Sequence, residues 1–224
     1  MLSFERFERT GTSRVDFTPS ALIIAGWTGR DPGAVQHHIR ELAALGVHPP
    51  STVPLFYRAS AQLVTQAARI EVVGKETSGE AEAVLIAMED GLWVGIGSDH
   101  TDRAAEAYSV ALSKQLCPKP IGPALWRFDE IVDHWDALRL SAHATRSGNR
   151  LLYQKGGVSG LRPPSELIER FGGDLAPGTV MFAGTVPARS GIHPADGFEI
   201  ELHDPVLGRT LSHRYETLAL PVVS

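Results

Sequence analysis

The chain has a single cysteine, Cys117, among 224 residues, so neither an intrachain disulfide framework nor a cysteine-built zinc site can form. Long apolar runs are missing as well. Met1 to Thr18 mixes charges with phenylalanines and reads as neither signal peptide nor anchor, which together with the lone thiol predicts a cytoplasmic protein without a membrane partner. There is no surplus of basic residues: the formal net charge of -5 argues against sequence-independent binding to nucleic acid, which needs a positive surface to displace counterions from phosphates. Walker, GxGxxG and GxSxG motifs are absent, removing several common enzyme classes. No segment is polar or repetitive enough to be disordered. With 43% hydrophobic and 21% charged residues the chain falls in the ordinary globular range, and it is read as one catalytic domain, 1–224, with 1–20 as an N-terminal extension or edge strand. Nothing around Cys117 argues for a lowered pKa, so it is expected to be a buried, inert thiol.

What the chain does contain is strand and turn signals with few long helices. Leu22 to Ala25 is a short apolar run closed by Gly26, the pattern of a buried strand. Asp31-Pro32 can cap and start a helix whose stripe is Val35, Ile39 and Leu42, ending near Leu45 with Gly46 suited to the left-handed position beyond it. Strands are expected at Val53–Tyr57 and Ile70–Val73. A hairpin is expected over Glu80–Met88 and Leu92–Ile96, with Asp90-Gly91 in its turn. Arg103 to about Leu112 is alanine-rich and helical in character, and Pro164–Phe171 is a short helix stopped by Gly172-Gly173. Further strands are expected near Leu151–Gln154, at Thr179–Ala183, at Gly197–Leu202 and from Thr217 to Val223. The sum is a β-dominated α+β domain.

Two clusters carry chemistry. Side chains two apart on a strand share a face, so Glu80 and Glu82 would direct two carboxylates at one point, which is unfavourable unless a cation, a proton or a basic group joins them. The returning strand runs into Asp99, which could bring a third oxygen ligand suited to Mg²⁺ or Mn²⁺. For a bare Glu-x-Glu a solvated strand face is the commoner arrangement, because carboxylates are mostly exposed. On the expected helix, His37 and His38 lie four and three residues before Glu41, close enough for the carboxylate to fix an imidazole tautomer and make His38 a general base; exposed pairs of this spacing are also common decoration. His100, Asp102, His193 and Asp196 are weaker ligand candidates.

The order of these motifs resembles the fumarylacetoacetate hydrolase superfamily, in a divergent bacterial branch of unknown function. His38-Ile-Arg-Glu41 precedes Val53-Pro-Leu-Phe-Tyr-Arg58, as the family's His-x-x-Glu helix precedes its Pro-rich strand. Glu80-Ala-Glu82, Asp99-His-Thr-Asp-Arg103, Lys114 ahead of Gly122-Pro123, and Pro177-Gly-Thr-Val-Met-Phe-Ala-Gly-Thr185-Val-Pro187 follow in the family's order. The resemblance implies the family's mixed β-sandwich roll, commonly a homodimer, with Mg²⁺ or Mn²⁺ on Glu80, Glu82 and Asp99. It implies a 2-oxo acid substrate chelating the metal, Arg103, Thr185 and Gln154 around the substrate, and catalytic roles for His38, Glu41 and Lys114. The departures are a short Glu82–Asp99 segment without room for the lid usual there, Cys117 where an acidic residue is usual, and Ala-Gly-Thr-Val-Pro in place of Thr-Gly-Thr-Pro.

The expected activity is cleavage of a C–C bond next to a 2-oxo acid by a hydrolase or lyase, with His38 and Glu41 activating water. Decarboxylation, isomerisation or dehydration on the same metal site, and a non-catalytic binder of metal or small acid, are the alternatives. A continuous helix would hold Arg103 and Lys114 about 16 Å apart, too far to share one small substrate. Their joint assignment therefore requires a break between them.

Overall fold

The computed structural model describes residues 1–44, 46, 48–189 and 191–223, with the side chains of all of these except His38 and Leu42. The chain opens with β1 (Leu2–Glu8) and β2 (Gly11–Phe17), an antiparallel hairpin, and then β3 (Ala21–Gly26). α1 (Pro32–Ala44) begins as its sequence dictates: Asp31 Oδ1 accepts from the backbone N–H groups of Gly33 at 2.7 Å and Ala34 at 3.2 Å. Beyond it Gly46 takes φ +90°, while the expected last residue, Leu45, lies outside the described set. β4 (Leu55–Ala59), β5 (Val64–Thr65), β6 (Arg69–Val73) and β7 (Thr77–Ser78) lead to the central hairpin of β8 (Ala81–Met88) and β9 (Gly91–Ser98).

After β10 (Thr101–Asp102) come two short helices, α2 (Arg103–Glu106) and α3 (Val110–Gln115), where one helix is expected from the sequence. Ser109 makes the break. Its extended backbone (φ -160°, ψ 117°) cannot continue α2, and its hydroxyl accepts from Leu112 N to start α3. β11 (Lys119–Pro120), β12 (Ala124–Arg127), β13 (Arg139–Arg146), β14 (Asn149–Gly157), α4 (Pro164–Phe171), β15 (Thr179–Thr185), β16 (Gly197–Asp204) and β17 (Arg209–Leu220) complete the chain. β17 starts eight residues earlier than expected because the turn after Asp204 lets its first eight residues pair with the whole of β16, before the rest pairs with β6. None of the described helices is long and apolar enough to cross a membrane.

Eight strands form one sheet in the order β2-β1-β12-β9-β8-β15-β3-β4, and five form a second in the order β14-β13-β16-β17-β6. β8 explains how they pack. All eight of its residues are buried, and their alternation divides them between two cores. Ala81, Ala83 and Leu85 pack with Leu140, Ala142, Phe198, Ile200 and Tyr215 of the facing sheet. Val84, Ile86 and Met88 pack on the opposite side with Phe4 and Phe17 from one end of their own sheet and Leu22 and Ile24 from near the other. Residues from both ends can meet only if that sheet is curled, which makes the fold a β-dominated α+β sandwich roll. Each fully buried Leu or Ile in these cores stabilises by roughly 1.5–3 kcal/mol. The N-terminal segment is part of this roll, with β2 at the edge and β1 paired inside it to β12.

Candidate metal centre

The acidic residues lie at the end of β8 and β9 away from their turn. That turn is Glu89-Asp90, with Gly91 already the first residue of β9, so Glu82 and Asp99 are joined by nothing but two strands and a two-residue connection. No lid is inserted there. Glu80 sits just ahead of β8 and not within it, as a strict Glu-x-Glu strand would require. Its carbonyl accepts from Asp99 N at 3.0 Å and its N–H donates to Ser98 Oγ at 3.1 Å, which carries the ladder one step further and keeps Glu80 beside the other two. One carboxylate oxygen from each of Glu80, Glu82 and Asp99 falls within 4.8 Å of the others.

Each carboxylate is held differently. Glu80 meets the Arg103 guanidinium at 3.1 Å, and Arg103 also binds Glu106 at 3.0 Å and donates to Ser78 Oγ at 2.7 Å. Burial by itself would lower the Arg103 pKa, but Glu80 and Glu106 outweigh it and raise it. Asp99, with no exposed surface, lies between two ammonium groups: Lys114 pairs with Oδ2, and Lys119 stands 3.3 Å from Oδ1. Burial would push this carboxyl up; Lys114 and Lys119 instead pull it down to about 2. Asp99 Oδ1 accepts no hydrogen bond. Glu82, 3% exposed, has no ion-pair partner among the described residues and accepts only from Gly184 N, at 2.7 Å. Burial, then Asp99 and Glu80, raise its pKa well above the usual carboxylate range.

The break between α2 and α3 resolves the distance problem in the sequence, since Lys114 turns back to Asp99 while Arg103 remains on Glu80. Lys114 keeps its proton: burial would lower its pKa, and Asp99 and Glu80 raise it. Its Nζ lies 5.8 Å from the centroid of the Tyr57 ring, whose hydroxyl accepts from Trp27 Nε1 at 3.2 Å. Thr185 and Gln154 support the carboxylates from behind. Thr185 Oγ1 donates to Ala81 O at 2.8 Å. Gln154 accepts from Ala81 N at 2.9 Å and donates to Thr185 Oγ1 at 2.8 Å and to Val186 O at 2.6 Å, so that its amide is taken up in fixing the start of β8 against β15. Gly184 adopts φ +100°, and a Cβ there would collide with the Thr28 hydroxyl. This close approach aims the Gly184 N–H at Glu82.

Other expectations fall elsewhere. Glu41 is exposed and pairs with His37 at 3.3 Å; the His38 side chain lies outside the described residues. Both His100 nitrogens are engaged, Nδ1 with Tyr215 Oη at 3.0 Å and Nε2 with Thr77 Oγ1 at 2.9 Å. Burial, then Lys119 and Arg103, lower its pKa to about 3, so it is a neutral imidazole whose two nitrogens are both taken up by side-chain hydroxyls. Asp102 caps α2 through Ala105 N, and His193 packs on the Tyr153 ring. A cavity of about 430 Å³ lies on the other sheet between Arg69, Asp196, Glu199, Arg214 and Glu216, apart from the triad. Lys119 is the residue that sequence reading passed over. It lies nearer to Gly122-Pro123 than Lys114 does, and it is wholly buried. Cys117 is 1% exposed and burial pushes its thiol up to about 11. It should resist a disulfide reagent in the native protein and react only on unfolding, as absorbance of the released thiolate would report.

The triad fits a hard divalent ion by its chemistry: three oxygen donors, one of them without a hydrogen bond and another without a counter-charge. The comparisons with solved structures point to one fold. A yeast fumarylacetoacetate hydrolase family protein superposes with a TM-score of 0.65 at 17% identity, covering 92% of this chain and 96% of that one. The 2-keto-3-deoxy-D-arabinonate dehydratase complexed with magnesium and 2,5-dioxopentanoate superposes with a TM-score of 0.62 at 19% identity, covering 96% and 79%. Fumarylacetoacetate hydrolase from psychrophilic Exiguobacterium antarcticum gives a TM-score of 0.61 at 16% identity, covering 95% and 83%. No curated protein sequence matches. A family model does match, over residues 25–215, and its description is "Protein of unknown function (DUF2848)". The chain therefore belongs to the DUF2848 family and has the fumarylacetoacetate hydrolase fold.

Proposed function

We propose that this chain is a divalent-metal-dependent enzyme that cleaves a C–C bond next to a 2-oxo acid, with Glu80, Glu82 and Asp99 holding Mg²⁺ or Mn²⁺. The convergence of these three carboxylates within 4.8 Å, at one end of the roll, carries the reading. When bound, such an ion supplies a Lewis acid that polarises a carbonyl and stabilises negative charge developing on it. The chain's own groups do the rest. Arg103 on Glu80 and Lys114 on Asp99, both held in the charged state, attract and orient an anionic substrate at the triad. Thr185 and Gln154 keep the start of β8 fixed, so the carboxylates do not reorganise during turnover. In this proposal His38, oriented by Glu41, takes a proton from water.

One observation favours a second reading, a lyase or isomerase needing no activated water: the Glu41 side chain is 58% exposed. The dehydratase among the structural neighbours, complexed with magnesium and 2,5-dioxopentanoate, suits that reading. Turnover of acylpyruvates, oxaloacetate and sugar-derived 2-oxo acids, assayed with and without Mn²⁺, separates the readings. His38→Ala should lower hydrolysis by about 10²-fold or more if it activates water. Unchanged turnover in that variant assigns the site to the second reading. In the absence of substrate, Mn²⁺ should raise the melting temperature of chelator-treated protein by several degrees. No shift at millimolar Mn²⁺ would remove the metal from the mechanism.

A further inference from the structure

We propose that Lys119 makes this site hold a divalent ion more tightly in company with an anionic chelator than alone, so that metal and a monocarboxylate 2-oxo acid bind as a coupled pair. The inference rests on the metal-dependent reading above and concerns a residue to which that reading gives no part. Lys119 is wholly buried in β11, and its Nζ has three neighbours: the carbonyl oxygen of His100, that of Cys117 at 3.2 Å, and Asp99 Oδ1 at 3.3 Å. Two of its donors go to the carbonyls, and its positive charge faces Asp99 Oδ1 as an ion pair without a hydrogen bond; a neutral amine could serve the carbonyls but would leave that carboxylate oxygen without the charge.

The charges in contact around the triad, among the described residues, are the carboxylates of Glu80, Glu82, Asp99 and Glu106 and the cations of Arg103, Lys114 and Lys119. With all of them ionised, acids exceed bases by one. A divalent ion alone overshoots neutrality by one charge, in a buried site where water screens poorly. A chelator carrying a single carboxylate removes that excess. Without the Lys119 charge the count moves by one, the divalent ion alone closes it, and the anion loses its advantage. Coupling of this kind is reciprocal: whatever the anion gains from the metal, the metal gains from the anion.

The test measures Mn²⁺ binding to chelator-stripped protein, from the paramagnetic resonance signal of free Mn²⁺, with and without pyruvate. The proteins are wild type, Lys119→Gln, which keeps a donor for the two carbonyls, and Lys119→Met. Wild type should bind Mn²⁺ at least about tenfold more tightly in saturating pyruvate. Lys119→Gln and Lys119→Met should bind Mn²⁺ alone at least about tenfold more tightly than wild type and gain less than about threefold from pyruvate. Pyruvate leaving the wild-type Kd unchanged overturns the coupling whether or not either variant folds. Variants that bind Mn²⁺ alone no more tightly than wild type overturn the part given to Lys119. Failure of wild type to bind Mn²⁺ under either condition overturns the metal reading and this proposal with it, an outcome distinct from Mn²⁺ binding that pyruvate does not affect.

Discussion

In chelated protein at neutral pH, Glu82→Gln should melt higher than wild type, although it removes a proposed metal ligand. Glu82 is buried, lacks an ion-pair partner among the described residues, and is held above the usual carboxylate range by burial and by Asp99 and Glu80. Glutamine keeps an oxygen for the Gly184 N–H without the charge. Relief of an uncompensated buried carboxylate should be worth about 1–2 kcal/mol, or roughly 2–8 °C in Tm for a domain of this size. Because the folded pKa of Glu82 lies above the unfolded one, the chelated wild type is favoured at low pH. It loses stability as pH rises from the unfolded value through the folded one. The glutamine variant has no such dependence, so the gap between the two widens with pH. Added Mn²⁺ should raise the wild type and leave the variant where it was. A chelated variant melting below wild type at pH 7.5 would show that the Glu82 charge is already compensated.

Asp99→Asn should do the opposite at the neighbouring position. It strands Lys114 and Lys119, two buried ammonium groups, beside a neutral amide. Removing one partner from a buried ion pair costs about 3–5 kcal/mol, enough to lower the Tm by more than about 6 °C and to resist rescue by metal. The Asp99 carboxyl titrates near 2 in the folded protein, below its unfolded value. Its contribution is therefore complete above the unfolded pKa and lost as pH falls through about 2. Urea unfolding at pH 7 gives the number. A loss under about 1 kcal/mol would mean that these lysines are satisfied without the carboxylate. Two members of one triad should thus respond with opposite signs.

Local chemistry was what the sequence made legible. Asp31 as a cap, the β8–β9 hairpin, and α4 stopped by Gly172-Gly173 each depend on a few adjacent residues, and each forms where expected. Motif order carried the fold and, through Glu80, Glu82 and Asp99, the acidic centre. Features that depend on distant partners were not legible. β13 is bounded by no turn residues at its start and is defined by β14 and β16 on either side. Alanine-rich Arg103–Leu112 has the propensity of one helix, yet the Ser109 cap and the pull of Asp99 on Lys114 divide it. Lys119 looked like any surface lysine, since nothing in its neighbours announces that a carboxylate and two carbonyls will enclose it. Gln154 and Thr185, assigned to substrate by resemblance, are engaged with the backbone of β8 and β15.

Gly184 bears on how such a chain can diverge. Its φ of +100° and its contact with Thr28 each exclude a side chain there for a separate reason, while its N–H holds Glu82. Relaxing either one leaves the other in force, so no single neutral substitution opens a path away from glycine. Positions without such a double constraint can change by small steps. The cradle beneath Glu82 offers no such steps, and drift there ends in loss of the centre and not in a variant of it.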